Sequence, residues 1–181
     1  MKQAKKQSRL SFLLLIVAIL SRFLPHPPNF TAVGASALYS GKYIRGPWAY
    51  FVPIVAMLIS DLFLGLHTTM PFVYGSFIVS IVLGRTLIKR RGWLNTGLTT
   101  MIGSVIFYLV TNFGVWLTTP LYPHTLAGLA QCYLLALPFF AWTLLGDITF
   151  VALFFTITEF AQQEEPFLRA KRAIKKIIYP I

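Results

Sequence analysis

Hydrophobic positions along this chain gather into long runs separated by short polar or basic stretches. Six runs stand out, at roughly Leu10–Leu24, Phe30–Tyr43, Trp48–Leu66, Pro71–Ile88, Thr96–Leu117 and Thr143–Phe160. About 20 apolar residues in a helix cross the hydrocarbon of a bilayer, so this pattern predicts a multi-pass membrane protein. The second run is the shortest and least apolar, and charge argues for keeping it. With six crossings from a cytoplasmic start, the inner segments hold Lys2, Lys5, Lys6, Arg9, Lys42, Arg45, Arg85, Lys89, Arg90, Arg91 and the five bases of the tail. Only Arg22 is left outside. Removing the second run would move the later loops across the membrane and destroy that inward excess of bases.

The expected fold is therefore all-α and integral to the cell (cytoplasmic) membrane: a six-transmembrane-helix bundle with both termini cytoplasmic. Residues 1–9 form a basic N-terminus, 10–163 the membrane domain and 164–181 a basic amphipathic tail at the inner surface. The N-terminus imitates a secretory signal, but Leu20-Ser21-Arg22-Phe23-Leu24 lacks a small-residue cleavage pair, so the first run stays as a helix. The outer segments are Pro25–Asn29, His67–Thr69 and Thr118–Pro138. Within the last, Leu126–Leu137 is expected to dip into the outer leaflet as a short helix before Pro138. A last crossing then opens near Gly146-Asp147, with Asp147 either capping that helix or meeting a ligand.

Composition supports the membrane reading. Of 181 residues 56% are hydrophobic and 12% charged, about half the charged share of a soluble domain. A net charge of +11 would suggest nucleic acid in a soluble protein, but here the bases sit between apolar runs and mark cytoplasmic loops instead. The basic tail, with Leu168, Ile174, Ile177 and Ile178 against Arg169, Lys171, Arg172, Lys175 and Lys176, suits anionic lipid or a cytoplasmic partner. Cys132 is the lone cysteine, which excludes an internal disulfide. Small residues at Ala32, Ser36 and Ser40, and at Gly34, Ala37 and Gly41, suit close helix packing or a docking face. Thr96-Gly97, Thr99-Thr100 and Gly103-Ser104 give the fifth helix a similar face.

Against this background the polar residues inside apolar runs carry the functional argument. An acid in hydrocarbon costs about 2.5–3.5 kcal/mol on insertion scales, so Asp61 and Asp147 call for an explanation. On the six-helix topology Asp61, Tyr74, Asn112, Trp116 and Asp147 all fall in the outer half, beneath loops bearing Asn29, His67, Tyr122 and His124. Their agreement in depth predicts a pocket open to the outside, in which Tyr74, Trp116, Tyr122 and Trp142 stack on a small ligand while Asp61, Asn112 and Asp147 hold its polar edge. Two acids with few outer bases favour a neutral or cationic ligand over a phosphate. Asp61 has a further reading as the ion-pair partner of Arg22. His26, His67 and His124 with the two acids would suffice for a transition metal, although their spacing matches no metal motif. Hydrolase, zinc-protease and nucleotide-binding motifs are all missing, which argues against an enzyme and against any cofactor.

Several stretches carry a resemblance: Arg22-Phe23-Leu24-Pro25-His26-Pro27-Pro28-Asn29-Phe30-Thr31, Ser60-Asp61-Leu62-Phe63-Leu64-Gly65, Pro71-Phe72-Val73-Tyr74-Gly75-Ser76-Phe77, Thr111-Asn112-Phe113-Gly114-Val115-Trp116-Leu117 and Leu144-Leu145-Gly146-Asp147. They resemble an uncharacterised family of small membrane proteins that is similar to the substrate-binding S components of energy-coupling factor (ECF) vitamin transporters. The resemblance implies capture of a vitamin or precursor from outside, with contacts on Asn29, Tyr74, Asn112 and Asp147. It also implies a membrane coupling subunit and two cytoplasmic ATPases as partners. In one respect the chain departs from S components, which show small residues spaced by four on the first helix: Leu10–Leu24 has none, and the nearest are Ala32 and Ser36. A membrane scaffold that binds no ligand is the alternative from another class.

Overall fold

A computed structural model describes the backbone of residues 2–88 and 92–178, and the side chains of Arg9 and of residues 12–88 and 92–158. Among the described residues there are six helices and no strand: α1 (Lys2–Phe23), α2 (Val33–Tyr43), α3 (Trp48–Leu64), α4 (Met70–Thr86), α5 (Trp93–Thr118) and α6 (Leu126–Ile178). Two of them are long and apolar enough to cross a membrane, Trp93–Thr118 and Leu126–Thr158. The chain divides into two compact units, residues 1–151 and 152–181. The second is the remainder of α6, helical as far as Ile178. The amphipathic face read in the tail, and the bases Lys2, Lys5, Lys6, Lys89, Arg90 and Arg91, lie outside the described side chains.

In the first unit α2 is the central element. It has only 11 residues, about 16 Å of helix and half a bilayer core. Eight of the 11 are buried, against α4, α3, α1 and α5. Small side chains make that position possible. A Cβ on Gly41 would stand 2.1 Å from the Ile81 carbonyl oxygen, and one on Gly84 2.1 Å from that of Leu38. Bare backbones of α2 and α4 therefore touch, as small residues at a helix–helix contact allow.

Hydroxyls satisfy the backbone groups that irregularities set free. Pro53 lies inside α3 and cannot donate to Ala49, four residues earlier. The Ser40 hydroxyl of α2 donates to that Ala49 oxygen instead, at 2.8 Å. Between α1 and α2 the chain is not helical, and Asn29 takes a left-handed conformation (φ +65°) that asparagine tolerates. The segment is pinned where α2 begins, since the Ala32 amide donates to Ser21 Oγ at 2.9 Å.

The expected break before the last helix is absent. Helix α6 starts at Leu126, capped by Thr125, whose Oγ1 accepts from the Gly128 amide at 3.1 Å, and it continues through Pro138. One proline removes one hydrogen bond, which a membrane helix packed on neighbours tolerates. Two tyrosines clamp its first part to α5: Tyr108 donates to the Tyr133 oxygen at 2.6 Å, and Tyr133 to the Leu109 oxygen at 2.8 Å. As a result Gly146-Asp147 does not open a helix but lies deep within one.

Candidate functional site

Where α1, α3 and α5 end and α4 and α6 begin, the helices enclose a cavity of about 520 Å³. It follows α5 from Gly103 to Val115, about 18 Å of helix rise. Phe107, Tyr108, Phe139 and Phe140 supply aromatic wall, and Thr111, Asn112 and Thr143 polar groups. Arg22, His26, Asn29, His67 and Tyr122 line it from the loops and helix ends.

Asp147 lines this cavity from α6 and is 7% exposed. Ser104 of α5 donates to its Oδ2 at 2.7 Å. The Ala35 amide donates to the same carboxylate. Ala35 is the third residue of α2, and the first amides of any helix lack a partner within it. No side chain at the start of α2 makes a cap bond. Asp147 therefore caps α2 from a different helix, and opposes the positive end of its dipole. The fit is close: a Cβ on Gly34 would stand 2.2 Å from Asp147 Oδ1, and one on Gly146 3.2 Å from Phe30 Cα. Among the described residues no basic side chain forms an ion pair with Asp147, so the buried carboxyl group is met by the Ala35 amide and the Ser104 hydroxyl.

Asp61, fully buried, anchors a second cluster beside the cavity. Its Oδ1 lies 2.7 Å from Arg22 Nη1, and Tyr74 donates to Oδ2 at 2.7 Å. The arginine contact is an ion pair without hydrogen-bond alignment, and Nη1 donates to Met57 Sδ at 2.7 Å. His67 Nε2 stands 3.9 Å from Oδ2. The cluster ties α1, α3 and α4 together and holds Arg22 where it lines the cavity. Tyr74→Phe is expected to lower stability by about 1 kcal/mol, because Asp61 Oδ2 then loses its hydroxyl donor. The midpoint of thermal unfolding in detergent measures this, and an unchanged midpoint would show that solvent replaces the phenol.

The residues singled out in the sequence thus divide. Asn29, Asn112 and Asp147 line the cavity; Asp61 and Tyr74 lie behind it, acting on it through Arg22. Trp116 instead donates to the Pro123 oxygen at 3.0 Å and packs against His124, at 5.5 Å between ring centroids. Trp142 is 41% exposed and does not line the cavity. The common depth expected of the two acids gives way to two levels. Asp61 is three residues from the end of α3, whereas Asp147 meets Ser104, about 12 Å further along α5 than Asn112. The early start of α6 is the reason, since it carries Asp147 inward. Among the described residues no three His, Cys, Asp or Glu side chains converge as metal ligands.

Sequence reasoning did not assign Ser104, Gly34 and Thr143 to the site. For the first two a signal existed in the small-residue faces of α2 and α5, though not the identity of what they would meet.

The chain matches a family of unknown function, DUF6580, over residues 2–168, and belongs to it. No curated protein and no solved structure matches it.

Proposed function

We propose that this member of a family of unknown function is a multi-pass membrane subunit that captures a small water-soluble nutrient, a vitamin or precursor, from the outer side. The observation that carries the reading is Asp147, a nearly buried carboxylate without a basic partner among the described residues, on the wall of a cavity of about 520 Å³. Neutral side chains cap helices just as well, so capping alone does not call for a charge inside the bundle. A ligand bearing a cationic or strongly donating group gives that charge a use. The volume lies within the range of small-molecule sites, and the aromatic wall suits a flat ring.

Membrane insertion with six crossings accounts for the outward apolar side chains, among them Leu62 at 73%, Phe63 at 77%, Leu94 at 78% and Leu126 at 85% exposed. Helix α2 then acts as a half-length inner helix whose N-terminus ends at the cavity. The irregular backbone of residues 24–32 is acceptable at membrane depth because it borders that cavity. The chain has no nucleotide-binding motif, so uptake against a gradient draws on partners. The resemblance to S components supplies their class, a membrane coupling subunit with cytoplasmic ATPases.

Purified protein screened by thermal unfolding against vitamins and their precursors tests the proposal. A ligand at 100 times its Kd is expected to add about 2.7 kcal/mol, a shift of roughly 5–10 °C. The absence of any shift, together with nutrient uptake unaffected by Asp147→Ala, would overturn it.

A further inference from the structure

We propose that the end of the bundle opposite the cavity binds the phosphate headgroup of an anionic lipid, through Lys42, Arg45 and Arg85. The proposal rests on the membrane placement above but not on what the cavity binds. Helices α2 and α4 both finish at this end, and the turn into α3 leaves a recess of about 430 Å³ that these three cations line, with no acidic side chain among the described residues of its walls.

Helix-end chemistry accounts for two of the cations. Lys42 Nζ donates to the Ile88 carbonyl, and Arg85 Nη2 to the Gly46 carbonyl at 3.2 Å. The Arg85 guanidinium also lies 5.3 Å from the centroid of the Tyr50 ring, which orients it while leaving other N–H groups to donate. Arg45 is different. It is exposed and makes no hydrogen bond or ion pair with any described residue, yet it sits in the same recess as two like charges. Gly46 beside it has φ +68°, a turn that favours glycine and leaves no side chain over the recess. Arg45, unpaired among the described residues and set beside two further cations, marks a site for an anion.

The surroundings say which anion. Trp48 and Trp93, the first residues of α3 and α5, are 61% and 53% exposed at this same end. Exposed tryptophans at helix ends mark the level of lipid headgroups, and basic recesses between helices at that level hold phosphates. The ligand is therefore a lipid phosphodiester rather than a soluble phosphate.

Full-length protein in neutral detergent, titrated with dioleoylphosphatidylglycerol or dioleoylphosphatidylcholine and read by native mass spectrometry, tests this. Phosphatidylglycerol is expected to be retained in preference. Arg45→Gln, which removes no contact within the described fold, should weaken that preference about fivefold. Arg45→Gln with Arg85→Gln should abolish it, while Arg45→Lys keeps most of it. Inorganic phosphate at equal ionic strength should not displace the lipid. An unchanged preference in the double variant, or displacement by inorganic phosphate, would overturn the lipid site. Protein that stays soluble without detergent would overturn the membrane placement as well.

Discussion

A methyl group added at Gly41 or Gly84 is expected to lower the stability of the bundle by about 3 kcal/mol, toward the upper end of the range for overpacking. The reason is what the methyl meets. At Gly41 it would stand 2.1 Å from the Ile81 carbonyl oxygen and at Gly84 2.1 Å from that of Leu38. Neither neighbour is the tip of a side chain that could rotate away, so α2 and α4 must part, and α2 is the element on which four others pack. Gly75→Ala and Gly97→Ala provide the control. Both positions are helical with nothing within 4 Å of a new Cβ, so alanine there should be neutral or stabilise by up to about 1 kcal/mol. Thermal or denaturant midpoints of the four variants in one detergent decide the matter. Combining Gly41→Ala with Gly84→Ala should cost less than the two single losses added, because one methyl already separates the seam that the other would enter. Equal effects at all four glycines would mean that helix propensity, not contact between backbones, governs these positions.

How much of this arrangement was legible in the sequence depended on whether the information was local. The apolar runs Trp48–Leu66, Pro71–Ile88 and Thr96–Leu117 fall within three residues of the ends of α3, α4 and α5, because the length of an apolar run is a local property. The pairing of Asp61 with Arg22 was legible too, since the expected topology set an acid near the end of one helix level with the single base at the end of another. What failed was Pro138. Read as a boundary, it split α6 and put Asp147 at a helix start; the clamp of Tyr108 and Tyr133 and the Thr125 cap hold the helix through it. That misplacement propagated to the site, because capping by Asp147 was expected within its own helix and occurs on α2. Small residues revealed that α2 and α5 are closely packed, but composition cannot say that Gly34 and Ser104 would receive one carboxylate. The tryptophans misled for a related reason. Their size suggested ligand stacking, whereas Trp116 is occupied by Pro123 and His124 and Trp142 turns outward.

Replacing Asp147 by asparagine separates the two uses of this side chain, and the outcome decides between nutrient capture and a scaffold. Asparagine keeps an oxygen to accept from Ala35, and its amide can donate to Ser104 Oγ while that hydroxyl donates to the Thr100 oxygen, so the cap on α2 persists and unfolding should shift by less than about 1 kcal/mol. It removes the charge, so a ligand whose cationic or donating group meets the carboxylate should lose roughly 100-fold in affinity. Asp147→Ala removes both functions. It should lose the affinity and also about 1–2 kcal/mol of stability, since the Ala35 amide is left without its acceptor inside the bundle, while the Ser104 hydroxyl keeps only the Thr100 oxygen. Titration calorimetry with a ligand found in the thermal screen, set beside the unfolding midpoints, reads the two effects separately. In a pure scaffold Asp147→Asn would impair folding or partner association and leave uptake of any nutrient where it was. Near-native stability with binding lost is the combination that only a ligand-holding carboxylate produces.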